Sequence, residues 1–145
     1  MFDWFGRLFG GRSAVEERRQ NPVLAAAVEL SALVYNRIPL HKMIDEARRA
    51  ELPPELVLAV IDVESNFDRF AISVAGARGL MQIMPFWLAE IGRPDDNLMQ
   101  IETNLRFGCT ILKFYIEIEK GNLPRALGRY NGSLGKRKYP NKVLD

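Results

Sequence analysis

The sequence is poor in cysteine and histidine: Cys109 is its only cysteine and His41 its only histidine. A lone thiol forms no internal disulfide, so cysteine usage leaves the redox compartment open. No His/Cys cluster stands at zinc-ligand spacing, and neither a metal nor a cofactor is expected. Cys109 falls in a helical apolar pattern with Ile111 and Leu112, which reads as a buried, inert thiol. A nucleophilic role would need a neighbouring base, and His41 lies on a different segment with no motif around it.

Long hydrophobic runs are also missing. No apolar stretch approaches the roughly 20 residues of a membrane span, and no basic, apolar, small-residue series of a secretory signal is visible. The opening Met1-Phe2-Asp3-Trp4-Phe5-Gly6-Arg7-Leu8-Phe9 is aromatic but short and interrupted by charge and glycine. Packing against the domain or disorder suits it better than a membrane anchor, which stays as the lesser alternative. Charge of one sign is scarce as well. Twenty Lys and Arg against 18 Asp and Glu leave a net +2, without the dense basic face of a nucleic-acid binder. The exception is the end of the chain, where Arg125, Arg129, Lys136, Arg137, Lys138 and Lys142 are opposed only by Asp145. That stretch reads either as a solvated basic tail or as an attraction for an anionic polymer.

What is present is enough for one folded domain. The 145 residues are 48% hydrophobic, which supplies a core. Residues 1–20 read as an N-terminal extension and 21–145 as a single domain, expected to be monomeric. The periodicity is helical nearly throughout, and the predicted fold class is all-α. Asn21-Pro22 looks like a cap and first turn opening a helix through Leu24, Val28, Leu33 and Val34. Pro39 opens a second, with Leu40, Met43, Ile44 and Ala47 in register. Pro53-Pro54 ends it and starts a third from Glu55 to about Ser65. Residues 66–79 read as a loop. A short helix is predicted through Leu80 and Met84, interrupted at Pro85 and ending near Gly92. A long helix follows from about Ile101 to Lys120 with Gly121 closing it, and Asn122 caps another through Tyr130. Beyond Asn131-Gly132-Ser133 the chain reads as irregular and polar.

The third helix carries an anomaly. Val57, Val60, Ile61 and Glu64 stand at i, i+3, i+4 and i+7, so Glu64 shares the apolar stripe while Asp62 points to the other side. A carboxylate there is costly unless it is paired, protonated or open to a cleft. Desolvation raises its pKa, in favourable cases to about 6, which suits a general acid near neutral pH. Spacing alone equally fits a glutamate near a helix end that reaches solvent or caps a loop.

The neighbourhood adds to this. Glu64-Ser65, then Ser73, then Gly79-Leu80-Met81-Gln82-Ile83-Met84-Pro85, and later Ala126-Leu127-Gly128-Arg129-Tyr130-Asn131-Gly132 occur in an order and spacing that resembles the soluble lytic murein transglycosylase domain. The resemblance spans about residues 38–143 and implies a lysozyme-like fold shared with the goose-type lysozymes. It implies that Glu64 is the single catalytic glutamate and that Ser73 lies in the loop facing it. It implies that Gln82 and Met84 line a sugar-binding cleft, with Tyr130 and Asn131 on the opposite wall. Asn104 matches a helix-start asparagine of structural role. Taken singly, Met81 and Met84 read as core, Tyr130 as a packing residue with its hydroxyl satisfied, and Gly79 as a turn glycine.

The expected substrate is the glycan strand of peptidoglycan, cut at the β-1,4 bond between N-acetylmuramic acid and N-acetylglucosamine, which would place the protein in the periplasm or cell envelope. An ordinary glycosidase uses two carboxylates. Only Glu64 occupies a motif position, so the resemblance implies substrate-assisted cleavage to a 1,6-anhydro product. Two alternatives stay open: a hydrolytic muramidase with help from Asp68, and a non-catalytic peptidoglycan-binding module. The sequence departs from the family pattern at the bulky Phe86-Trp87-Leu88, at Gly132-Ser133-Leu134-Gly135, and after Tyr139-Pro140-Asn141-Lys142-Val143, where a closing element of the cleft is expected to be shortened.

Overall fold

Pro54 at the first position of an apolar helix sets the centre of the molecule. The computed structural model describes residues 39–145. The helix predicted from Asn21, the boundary after residue 20 and the aromatic start lie outside the described residues. Within them run six helices: α1 (Leu40–Arg49), α2 (Pro54–Ser65), α3 (Trp87–Ile91), α4 (Ile101–Ile118), α5 (Leu123–Asn131) and α6 (Lys138–Leu144). The described residues contain isolated β-bridges but no strand. The all-α prediction therefore agrees with the structure.

Each boundary has a local cause. Pro39 and Pro53 sit in extended conformation just before α1 and α2, and Pro54 occupies the first turn of α2, where a missing N–H costs nothing. Asn122 accepts a hydrogen bond from the Arg125 N–H at 3.2 Å and so caps α5. The Gly121 N–H reaches back to the Ile116 carbonyl at 2.9 Å and closes α4.

α2 buries Leu56, Val57, Val60 and Ile61 completely. A helix apolar on more than one side belongs inside the fold. α4 contributes Leu105, Cys109, Leu112 and Ile116 to the same core and packs on α1 and α5. Fully burying a Leu or Ile contributes about 1.5–3 kcal/mol, so this shared core is the main stabilising element. Cys109 is fully buried, and burial pushes its thiol up to about 12. It is an inert core residue, as its apolar neighbours predicted. Trp87 is half-buried against the core, edge-on to Tyr115 with ring centroids 6.1 Å apart.

Two predictions need correction. Residues 80–84 are not helical. Arg78 and Ile83 exchange both backbone hydrogen bonds, at 3.0 and 2.9 Å, around a tight turn, and helix begins only at Trp87. Leu80, Met81 and Ile83 are buried, so their spacing mimicked a helical stripe. Gly79 (φ +77°) and Gln82 (φ +52°) take left-handed backbone conformations that interrupt any helix. The chain after Ser133 is not wholly irregular either. α6 buries Tyr139, Pro140 and Val143 and packs on α5 and α2.

Candidate active site

The end of α2 presents Glu64 where its apolar stripe meets solvent. Val57, Val60 and Ile61 beneath it are buried, Glu64 is half-buried, and Asp62 is exposed. Burial holds the Glu64 carboxyl above its ordinary pKa, opposed by the nearby Tyr139 hydroxyl, which favours the charged form. Tyr139 is itself buried, and its hydroxyl has no partner of ordinary hydrogen-bond geometry among the described residues. The two groups line the same pocket. Burial first, then the charge of Glu64, keeps the phenol firmly protonated.

Glu64 opens into a pocket of ≈ 320 Å³. Val63 forms the α2 side with it, while Asn131 comes from the end of α5, Ser133 from the turn after it and Tyr139 from α6. Lys136, Lys138 and Lys142 complete the lining. Among the described residues, Glu64 is the only carboxylate on that lining. Asp68 accepts the Phe70 N–H at 2.9 Å and takes no part in it.

A backbone turn, residues 78–84, is knotted to the helices beside this pocket. Ser65, next to Glu64, donates to the Leu80 carbonyl at 2.7 Å. Asn104 of α4 is almost fully buried; its Oδ1 accepts the Met81 N–H at 2.9 Å, and its Nδ2 donates to the Arg78 and Leu98 carbonyls at 2.9 and 2.8 Å. Tyr130 of α5 donates to the Met81 carbonyl at 2.6 Å. Gly79 lies so close to Asn104 that a Cβ there would stand 2.3 Å from Nδ2. Met81 inserts beside Gly108, where a Cβ would meet its sulfur at 2.2 Å. The Met81 N–H and the Leu80 and Met81 carbonyls, which a non-helical turn would strand in the core, are thereby answered by Asn104, Ser65 and Tyr130. Directly after Ser65, Asn66 (φ +50°) and Phe67 (φ +63°) are both left-handed. A bulky residue in that region is strained, and the buried Phe67 ring offsets the cost.

The structure brings Glu64 and Asn131 into one pocket. It places the other predicted site residues elsewhere on the same framework. The Ser73 hydroxyl accepts the Ala77 N–H at 3.0 Å and shapes the 73–77 turn. Gln82 donates to the Ala71 and Gly79 carbonyls at 3.1 and 2.9 Å. Met84 is half-buried beside Pro85, and Tyr130 is half-buried with its hydroxyl turned inward to Met81. Asn131 donates to the Ser133 hydroxyl at 2.8 Å. Sequence reasoning missed Tyr139, and it read Lys136, Lys138 and Lys142 as a basic tail or an attraction for an anionic polymer without placing them at this pocket. The usable signal was the apolar i, i+4 pair of Tyr139 and Val143, which marks a short amphipathic helix.

Known proteins resemble this chain in sequence and in fold. A membrane-bound lytic murein transglycosylase C of Actinobacillus pleuropneumoniae serotype 5b (strain L20) is 38% identical over 63 residues, 43% of this chain and 16% of that protein. The inactive mutant of the lytic transglycosylase Slt from Pseudomonas aeruginosa superposes with a TM-score of 0.58 at 28% identity, covering 67% of this chain and 17% of that one. The 70 kDa soluble lytic transglycosylase of Escherichia coli gives a TM-score of 0.58 at 25% identity, over 74% and 19%. The chain therefore spans less than a fifth of the length of each of these relatives. The described helices share the all-α, lysozyme-like architecture of these transglycosylases. A family model described as the transglycosylase SLT domain matches residues 42–143, well over half of the sequence. The chain belongs to the transglycosylase SLT domain family.

Proposed function

We propose that the protein is a peptidoglycan lytic transglycosylase, cutting the β-1,4 bond between N-acetylmuramic acid and N-acetylglucosamine in the cell envelope. The observation that carries this reading is Glu64: a half-buried carboxyl of raised pKa and, among the described residues, the one carboxylate on the lining of its pocket. The names of the relatives, lytic murein transglycosylases, point the same way.

The chemistry follows from one carboxyl. Paired-carboxylate glycosidases hold their two groups about 5–5.5 Å apart when retaining and about 6.5–9.5 Å when inverting. With no second carboxylate among the described residues of the pocket, the substrate's own acetamido oxygen takes the role of internal nucleophile. Glu64, protonated, gives its proton to the glycosidic oxygen as the C1–O bond breaks, and the acetamido oxygen bonds to C1. Glu64, now a carboxylate, takes the proton of the muramyl C6 hydroxyl as O6 attacks C1 and displaces the acetamido oxygen. The product is a 1,6-anhydro ring, and Glu64 ends protonated, ready for the next cycle. Asn131 shares the pocket and in this reading contacts the sugar; Ser73, Gln82, Met84 and Tyr130 keep the cleft-wall places that the family resemblance assigns them.

Mass spectrometry of purified sacculi digested by the protein tests this. Anhydro-muropeptides are the expected product. Reducing ends would assign hydrolysis, and binding without released fragments would remove the enzymatic reading.

A further inference from the structure

We infer that Lys136, Lys138 and Lys142 form a carboxylate-binding rim on the Glu64 pocket, which selects glycan whose muramyl residues carry anionic substituents. The inference rests on the proposed function, because it names the part of that substrate the rim holds.

The basic end of the chain divides in two. Arg125 and Arg129 both bind Glu119, the former at 2.8 Å, so their charge is answered within the fold. Lys136, Lys138 and Lys142 line the pocket instead, and none has a carboxylate within 4 Å among the described residues. Lys138 and Lys142 are four residues apart on α6, flanking the buried Tyr139 and Val143. Lys136 arrives from the preceding turn, whose N–H bonds to the Ser133 carbonyl at 3.0 Å. Like charges at i, i+4 repel and weaken a helix, so this placement lacks a structural reward. Among the described residues the only acid on the lining is Glu64, and burial favours its neutral form. The described lining thus concentrates positive charge with no paired carboxylate among the described residues, which attracts an anion.

The substrate offers one. A muramyl residue differs from N-acetylglucosamine by a lactyl ether ending in a carboxyl, either free or extended by a peptide with free carboxylates. Polymers of N-acetylglucosamine alone are neutral. Lysine ammonium groups on flexible stems suit carboxylates of variable position better than a rigid arginine fork would.

The test uses the full chain carrying Glu64→Gln, co-sedimented with purified sacculi over a range of salt. Adding Lys136→Gln, Lys138→Gln and Lys142→Gln together is expected to weaken binding about tenfold at low salt and to flatten its salt dependence. The affinity for neutral N-acetylglucosamine oligomers is expected to be the same in both proteins. Amidase-stripped strands identify the source: lysine-dependent binding kept there assigns the lactyl carboxylate, and its loss assigns the peptide. Unchanged sacculus affinity and salt dependence would overturn the rim. So would an equal loss on neutral oligomers, or lysine-dependent binding that survives chemical amidation of the glycan carboxyls, which would point to phosphate-bearing polymer. Cleavage by the parent enzyme with no lysine effect would remove the rim and keep the enzyme. Lysine-dependent binding with no fragments from the parent would do the reverse.

Discussion

The hydroxyl of Tyr130 donates a 2.6 Å hydrogen bond to the main-chain carbonyl of Met81, 49 residues earlier. A phenol from the family's Tyr-Asn motif thus ties α5 to the 78–84 turn. Burial, and after it the charge of Glu64, raises the phenol well above its ordinary pKa, so it stays a donor at any working pH.

Tyr130→Phe deletes that donor and leaves the Met81 carbonyl buried without it. The expected cost is about 1–3 kcal/mol of folding stability, read from the urea midpoint. An unchanged midpoint would mean that the bond does not hold the turn.

Glu64→Gln is expected to lower the rate on sacculi by at least about 10²–10⁴, the usual share of a general acid. It is also expected to stabilise the fold at neutral pH, raising Tm by about 1–4 °C. The sign follows from the raised pKa: the native state holds the Glu64 proton more tightly than the unfolded chain does. That contribution is complete below the unfolded value of 4.5 and is lost as pH rises through the folded one. Glutamine does not titrate, so the Tm gap between variant and parent should open over that interval and vanish below it. A gap independent of pH would contradict the assignment.

Tyr139→Phe removes the group that opposes the effect of burial on Glu64. The carboxyl should then hold its proton to higher pH. In a pH–rate profile the alkaline limb, where the general acid is lost, is expected to move upward. A downward shift would place the control of Glu64 elsewhere.

Asn104→Leu strands the Met81 N–H and the Leu98 carbonyl, both now bonded by one side chain, and leaves the Arg78 carbonyl with the Ile83 N–H alone. A loss of about 3 kcal/mol or more is expected in denaturant melts. Gly79→Ala should resemble it, because a Cβ there meets both Asn104 and the Leu98 carbonyl (2.9 Å) at a left-handed φ. Equal stability of either variant with the parent would show that the knot is dispensable.

Several features were legible in the residues alone. The breaks at Pro39 and Pro53-Pro54, the Asn122 cap, the buried Cys109 and the half-buried Glu64 all rest on neighbours within one or two helical turns. Such signals are carried by the 3.6-residue period and by proline's fixed φ. Residues 80–84 failed that reading for the same reason: three apolar side chains at short spacing look alike whether a helix or a turn buries them.

The sequence by itself determined a helical domain with one carboxylate on an apolar stripe, because those properties are local. Only the tertiary structure decided the work of the other motif residues. Ser65, Asn104 and Tyr130 are committed to the turn beside the site, through contacts 15, 23 and 49 residues apart. Tyr139, Lys138 and Lys142 line the Glu64 pocket because α6 packs on α2. Contacts of that range leave no periodic trace in the chain; they are set by which buried polar groups can answer one another once the core has closed.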